Sequence, residues 1–182
     1  MTGLVTLTTT RLALVASTPE IARAAVSDGT LLAELLQARV PATWPPAAMA
    51  RALEGYARRL EEEPALAGWL PRYWVALEER VLVGAGGFGR RPDDKGTLEI
   101  GYVVFDEFQR RGYASEAVAA LLDWAFVQPG VERVYAKTAR SGQASLRVLE
   151  KNRFRLRGTG PEPHMVWLEI TRARWRSARR PA

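Results

Sequence analysis

A short glycine-containing turn between a strand-like run and a helix-like run most constrains the fold of this chain. Residues 97–105 are mostly apolar and predict a strand, whereas residues 115–127 place apolar side chains at i, i+3 and i+4 and predict a helix. A second alternating run at 131–138 follows the helix. Two strands that bracket one helix form a β-α-β crossover, so the sequence predicts a parallel pair joined with right-handed connectivity.

The turn itself, Gln109-Arg110-Arg111-Gly112-Tyr113-Ala114, predicts an anion-binding site. Backbone N–H groups and the helix dipole converge at such a helix start. Gly112 and Ala114 allow a phosphate to approach the main chain, and Arg110 and Arg111 add positive potential. Taken alone, the segment is equally consistent with an ordinary turn that carries solvated arginines.

The rest of the chain predicts a mixed α+β domain with helices on both faces of a sheet. Ser17 is positioned to cap the first helix, and three prolines between residues 41 and 46 require a loop. Further strands are predicted at 10–14, 72–77, 81–88, 154–157 and 165–170, and further helices at 17–26, 31–38, 47–63 and 145–151.

Composition excludes several classes of protein. The chain has 182 residues, no cysteine and one histidine, so disulfides, thiolate chemistry and a protein-built zinc site are not expected. No apolar run approaches the ~20 residues that cross a bilayer, and the first residues do not have the pattern of a signal peptide. We expect a cytoplasmic protein with one domain at 1–171 and a basic tail at 172–182.

The basic charge leaves the class of partner open. The net charge is +6, and residues 172–180 contribute five arginines. Such a tail is either frayed and solvated or an arm that touches RNA or a ribosome. The hypothesis that the protein binds nucleic acid depends on this charge alone. The anionic cofactor suggested by the turn is the other explanation of the basic net charge.

The order of these elements, together with four motifs, resembles the GNAT N-acetyltransferase superfamily over about residues 8–171, and the RimJ/RimL-like branch in particular. The motifs are Thr10-Arg11-Leu12, Leu98-Glu99-Ile100-Gly101-Tyr102-Val103-Val104, Gln109-Arg-Arg-Gly112-Tyr-Ala114-Ser-Glu116-Ala117 and Ser145-Leu-Arg-Val-Leu-Glu150-Lys151 with Phe154. The resemblance implies a mixed, mostly antiparallel sheet of about seven strands in which a central parallel pair splays apart.

The resemblance also implies that acetyl-CoA is the cofactor and that the reaction needs no metal. The pantetheine arm would lie in the notch between residues 103–105 and 135–137. The diphosphate would rest on amides of the turn. The residues implied in cofactor binding are Val103, Val104, Phe105, Gln109, Arg110, Arg111, Gly112, Tyr113, Ala114, Ser115 and Gly142.

Acetyl transfer to an amine needs a neutral amine, a stabilised oxyanion and a proton for the departing thiolate. Glu99 is the candidate base, because it interrupts an apolar strand where burial would raise its pKa. The Val104 N–H is the candidate oxyanion donor. Leu149 stands where many relatives have a proton-donating tyrosine, so Ser145 is the candidate donor by resemblance.

Other positions depart from the pattern or carry weaker expectations. Gly142 replaces an asparagine common in the family, and Arg153 replaces a glycine. Trp44, in the proline-rich loop, and His164, before the last strand, are candidates for substrate binding, with structural packing as the alternative for each.

The expected acceptor is a protein N-terminal α-amine or a small-molecule amine, since an α-amine with a pKa of about 7.7–8.0 is partly neutral already. A polyamine or aminoglycoside site would need several carboxylates in the cleft, for which 61–63 and 93–94 are candidates. A non-catalytic acyl-CoA-binding or ribosome-associated module is the alternative function. A ribosomal protein or ribosome as partner, and a homodimer, are allowed but not required.

Overall fold

The computed structural model describes residues 6–158, 162 and 164–179. Within them the secondary structure follows the predicted order with small shifts at the ends. The strands are β1 Leu7–Thr8, β2 Leu12–Val15, β3 Arg72–Ala76, β4 Val81–Gly87, β5 Thr97–Glu99, β6 Gly101–Val104, β7 Arg133–Ala139, β8 Arg155–Gly158 and β9 Met165–Thr171. The helices are α1 Pro19–Ser27, α2 Gly29–Leu36, α3 Ala47–Glu62, α4 Tyr113–Val127, α5 Gln143–Lys151 and α6 Arg172–Arg179.

The strands form two sheets, in the orders β1-β2-β3-β4-β6 and β5-β7-β9-β8. Only β5 and β7 pair in parallel among the described strands, and α4 connects them along the chain, as the crossover predicted. The other pairs are antiparallel. The predicted α+β fold, mostly antiparallel with one parallel pair, is confirmed.

The single strand predicted at 97–105 is wrong in one respect, because it divides between the two sheets. Ile100 donates its N–H to the Tyr135 carbonyl of β7 at 2.9 Å, and β6 then pairs with β4 instead. Phe105 donates its N–H to the Val83 carbonyl at 3.0 Å. The chain therefore leaves β7 after Ile100, and the notch expected between the two central strands opens at that point.

Glycines in β4 allow β6 to approach closely. A Cβ added to Gly86 would lie 2.5 Å from Cβ of Tyr102 and 2.7 Å from the Trp74 ring. Trp74 is fully buried, and its ring stacks on that of Tyr102 with centroids 6.3 Å apart. The edge strand that borders the notch is thus held against the core by aromatic packing rather than by a further strand.

Two local predictions need correction. The cap of α1 is Thr18 rather than Ser17, because the Thr18 hydroxyl accepts from the Ile21 N–H at 2.9 Å while Ser17 is buried. Residues 172–179 are not a frayed tail but α6. Trp175 fixes this helix to α4, since its indole N–H donates to Asp123 at 2.8 Å and its ring packs 5.4 Å from that of Phe126.

No helix in the described part of the chain is both long enough and apolar enough to cross a membrane. Residues 180–182, the end of the predicted tail, lie outside the described residues.

Candidate active site

Two cavities, each of about 430 Å³, meet at β6. Both are lined by Tyr102 and Val103. One, the turn cavity, extends between the predicted anion-binding turn and α5. The other, the Glu99 cavity, extends toward α3 and the end of β4. The two cavities therefore border the same strand.

The turn cavity has the features of an anion site. Arg110 (φ +61°) and Gly112 (φ +85°) both adopt the left-handed conformation, and α4 begins at the next residue. Of the described residues that line it, the charged ones are all basic: Arg110, Arg147 and Lys151. The geometry and charge of the turn therefore agree with the anion site inferred from the sequence.

Hydrogen bonds hold both walls of the turn cavity. The Gln109 side-chain amide donates to the Val104 carbonyl at 3.1 Å and to Asp106 Oδ1 at 2.7 Å. Across the cavity, the Asn152 amide at the end of α5 donates to the Ser115 carbonyl at 3.1 Å. The start of α4 and the end of α5 are thereby fixed relative to each other.

Main-chain direction decides which amides face the notch. Phe105 donates its N–H toward β4, and successive N–H groups along a strand alternate in direction. The Val104 N–H therefore points away from β4, toward the notch. This is the orientation that its expected role as an oxyanion donor requires.

Behind the turn, Thr9, Arg11, Arg111 and Glu116 form an ion-paired cluster, called the bracket below, that was not anticipated from the sequence. Arg11 donates from Nη1 to the Arg111 carbonyl at 2.9 Å and from Nε to Glu116 Oε2 at 2.8 Å. Glu116 Oε1 also accepts from the Thr9 hydroxyl at 2.6 Å and from the Arg11 backbone N–H at 2.8 Å. Burial opposes ionisation of Glu116, but these hydrogen bonds and the Arg11 charge outweigh it, so the pKa of Glu116 lies below its ordinary value.

In the Glu99 cavity, the carboxylate of Glu99 is positioned by two residues of β7. Tyr135 donates its hydroxyl to Glu99 Oε2 at 2.7 Å, and Lys137 Nζ lies 3.4 Å from Oε1. Burial, together with the Glu99 carboxylate, raises the pKa of Tyr135, which therefore keeps its proton at neutral pH. The Glu99 side chain is 39% exposed, so the burial expected for it is not found; it faces the open cavity where the strand changes sheet.

Two arginines and a tyrosine, Arg59, Arg90 and Tyr56, also line the Glu99 cavity. Arg59 on α3 donates from Nη1 to the Gly89 carbonyl at 2.6 Å, and Arg90 follows Gly89. Burial raises the pKa of Tyr56, the Arg59 charge opposes that rise and the Glu99 charge adds to it. Tyr56 thus lies within electrostatic reach of both Arg59 and Glu99.

Most residues expected at the cofactor site meet at the turn cavity. They are Val103, Val104, Gln109, Arg110, Gly112, Tyr113, Ala114 and Ser115, and the candidate proton donor Ser145 lines the same cavity. Phe105 is buried beside Phe108 instead. The Arg111 guanidinium lies over the Phe108 ring, 5.4 Å from its centroid, while the Arg111 carbonyl accepts from Arg11. Gly142 begins α5 where an added Cβ would lie 2.7 Å from the Thr138 hydroxyl, so packing explains the glycine.

The two residues expected in substrate binding lie elsewhere. The Trp44 indole N–H donates to the Ala25 carbonyl at 3.0 Å, and its ring packs edge-on against Tyr73 and Phe105 in the core. His164 is exposed before β9, where its carbonyl accepts from the Arg140 N–H at 2.9 Å. The contacts of Trp44 therefore favour structural packing over substrate binding.

Tyr102 is a site residue that sequence reasoning overlooked. Its hydroxyl oxygen lies 3.5 Å from the Ser145 carbonyl oxygen, and burial raises its pKa to about 12, although Ser145 opposes the rise. Leu149, where relatives place a tyrosine, is buried. The position of Tyr102 three residues after Glu99 was visible in the sequence, but only the change of sheet at Ile100 shows that it reaches both cavities.

Comparison with known families agrees with this arrangement. Residues 11–155 match the family model described as the acetyltransferase (GNAT) domain. The uncharacterized N-acetyltransferase YjdG of Bacillus subtilis (strain 168) is 31% identical over 101 residues, which cover 54% of this chain and 60% of YjdG. The chain thus matches YjdG over little more than half of the length of that relative.

Solved structures share the fold across nearly the whole chain. The RimL ribosomal L7/L12 alpha-N-protein acetyltransferase in complex with coenzyme A has a TM-score of 0.62 at 19% identity, covering 92% of this chain and 98% of that one. The microcin C7 self immunity acetyltransferase MccE in complex with acetyl-CoA and AMP has a TM-score of 0.62 at 14% identity, covering 91% and 98%. At these identities the similarity shows a common fold.

Proposed function

The chain belongs to the GNAT acetyltransferase family, and from that premise we propose that it transfers the acetyl group of acetyl-CoA to a primary amine by direct attack in a ternary complex. The observation that carries the proposal is the meeting of the turn cavity and the Glu99 cavity at Tyr102 and Val103. A bound acyl donor and a bound amine would face each other there without a covalent enzyme intermediate.

The turn cavity fits the donor by charge and by shape. Arg110, Arg147 and Lys151 supply positive potential, and the start of α4 supplies backbone N–H groups for a diphosphate. The notch beside β6 leaves main-chain groups for the pantetheine amides. When bound, acetyl-CoA supplies a thioester whose acyl carbon accepts the amine.

Glu99 receives the amine proton in this proposal. Its carboxylate borders the Glu99 cavity and is held by Tyr135 and Lys137. An α-amine is partly neutral at physiological pH, so a modest base suffices, whereas a lysine amine with a pKa of about 10.4 needs more help. This favours a protein N-terminal amine or a weakly basic small-molecule amine as the acceptor.

Stabilisation of the oxyanion and protonation of the departing thiolate are assigned to groups on β6 and α5. In this proposal the Val104 N–H, which is directed away from β4, stabilises the oxyanion. The hydroxyls of Ser145 and Tyr102 are the candidate proton donors for the thiolate. Tyr102 retains its proton at neutral pH, since burial raises its pKa to about 12.

The experiment that tests the proposal measures coenzyme A release from acetyl-CoA with a panel of amines and peptides, in the wild type and in Glu99→Gln. We expect turnover in the wild type and a loss of about 10²- to 10⁴-fold in kcat in the variant, the usual contribution of a general base. Calorimetry should show acetyl-CoA binding unchanged, because Glu99 does not line the turn cavity.

Glu62→Gln is the matched control, because Glu62 is an exposed carboxylate on α3 that does not line the Glu99 cavity. It should retain full activity. Binding of acetyl-CoA with no turnover on any acceptor would contradict the proposal and favour an acyl-CoA-binding module. Equal kcat in Glu99→Gln and wild type would remove Glu99 from the mechanism.

A further inference from the structure

The charges around the Glu99 cavity point to the chemical class of its ligand. Among the described lining residues, Arg59 and Arg90 are the cations and Glu99 is the carboxylate. Lys137 adds a third positive charge 3.4 Å from Glu99. A pocket that received a polycation would show the opposite balance.

The two arginines converge on the same loop. The Arg59 guanidinium donates to the Gly89 carbonyl, and a Cβ added to Gly89 would lie 3.8 Å from the Tyr56 hydroxyl. Arg90 is the next residue and hydrogen-bonds the Tyr135 side chain, whose hydroxyl in turn donates to Glu99. The Tyr135 hydroxyl therefore links Glu99 to Arg90, and the same cavity is lined by one carboxylate and two guanidinium groups.

Three carboxylates of the acidic runs that a polycation would need already have partners in the protein. Glu61 accepts from Arg23 Nε at 3.0 Å, and Glu63 accepts from Arg91 at 2.9 Å. Asp93 Oδ1 accepts from the backbone N–H groups of Lys95 and Thr97 within its own turn, and Asp93 Oδ2 lies 3.9 Å from Arg90 Nη2. None of these carboxylates is among the residues that line the Glu99 cavity.

We propose that Arg59 and Arg90 form a carboxylate subsite, so that the acceptor is an amine whose molecule also carries a carboxylate, with the amine at Glu99 and the carboxylate at the arginines. This rests on the proposed acetyl transfer. Guanidinium groups bind carboxylates through paired, charge-assisted hydrogen bonds. The carboxylate comes either from acidic side chains that follow a peptide N-terminus or from the terminal carboxylate of a small molecule.

The test compares three tripeptide amides that begin with serine and continue with two aspartates, two asparagines or two lysines. The attacking α-amine is the same in all three. A second pair, glycylglycine and glycylglycine amide, examines the terminal carboxylate. The measured quantities are kcat/KM with acetyl-CoA and, independently of turnover, the Kd of each peptide for the protein saturated with coenzyme A.

We expect the aspartate peptide to exceed the lysine peptide by about tenfold in kcat/KM and in affinity, the effect of one charge-assisted hydrogen bond at partly exposed arginines. Arg59→Gln/Arg90→Gln should abolish that preference. The matched control is Arg58→Gln/Arg91→Gln, which removes the same charge from the same helix and loop at residues that do not line the cavity. The control should keep the preference.

A higher kcat/KM for the lysine or asparagine peptide in the wild type would overturn the carboxylate subsite. So would equal loss of preference in the two double variants, because that would reflect net charge alone. If acetyl transfer fails with every amine while the aspartate peptide still binds best and depends on Arg59 and Arg90, the subsite stands and the proposed reaction falls.

Discussion

Removal of the Arg11 side chain should destabilise the protein and weaken its binding of acetyl-CoA. Arg11→Ala deletes one hydrogen bond to the Glu116 carboxylate and one to the Arg111 carbonyl. It also removes the guanidinium that lies 5.0 Å from the centre of the Tyr113 ring. The Arg11 side chain is 47% exposed and that of Glu116 is 19% exposed, so each contribution is reduced by solvent.

The magnitude follows from these contacts. A buried hydrogen bond to a charged group contributes about 1.5–3 kcal/mol, and half exposure reduces the Arg11–Glu116 contribution to about 1 kcal/mol. The carbonyl bond and the ring contact add roughly 0.5 kcal/mol each. The free energy of unfolding should therefore fall by about 2 kcal/mol, and Tm by about 4–8 °C for a chain of this size.

The assay is urea unfolding of the wild type, Arg11→Ala, Glu116→Gln and the double variant. Because the two side chains contact each other, the cycle should give a coupling of about 1 kcal/mol. The Kd for acetyl-CoA should rise about fivefold in Arg11→Ala, because ordering the turn on binding would cost about 1 kcal/mol of binding free energy. Arg51→Ala, at an exposed arginine of α3, should change stability by less than about 0.5 kcal/mol. Additive single variants, or an unchanged Kd, would refute this account of the bracket.

Two further predictions concern the same region. Gly112→Ala should raise the Kd for acetyl-CoA about fivefold or more. The φ of +85° costs a residue with a Cβ about 1–2 kcal/mol, and the added Cβ would lie 3.3 Å from Arg11 Nη2. Equal affinities of the variant and the wild type for acetyl-CoA in calorimetry would contradict this prediction. Glu116 has a folded pKa below its ordinary value, so its stabilising contribution is present above the unfolded pKa of about 4.3 and is lost as pH falls through the folded value. Between pH 6 and 3 the wild type should therefore lose more stability than Glu116→Gln in urea unfolding, and parallel pH profiles would exclude this origin.

Local periodicity was sufficient to predict most of the elements and the parallel pair. The crossover followed from two strands that bracket one helix, and the pairing of β5 with β7 confirms it. The left-handed conformation of the turn was also predictable, because Gly112 stands directly before an alanine-rich helix; anion binding there stays a prediction. Arg153, which replaces a glycine expected from the resemblance, has a φ of +63°, in the left-handed region that favours glycine.

Tertiary contacts were what the sequence did not reveal. The change of sheet at Ile100 depends on the close approach of β6 to glycines of β4, and the predicted single strand carries no sign of it. The ion pair of Arg11 with Glu116 joins residues 105 positions apart, so no local pattern records it. Trp44 illustrates an ambiguity, because an aromatic residue in a proline-rich loop suits a binding surface and a core equally well, and only its contacts with Tyr73 and Phe105 favour packing.

Residues 99–104, where the chain passes from one sheet to the other, must keep a fixed number of residues. Glu99 belongs to one sheet and Val104 to the other, yet they are joined by four consecutive residues with no loop to absorb a change. Adding or deleting a single residue between them would reverse which edge the downstream amides face, because strand directions alternate with a period of two. The separation between the Glu99 carboxylate and the Val104 N–H is therefore set by the covalent chain, and an insertion or deletion here should change it, whereas a substitution leaves the main-chain spacing intact.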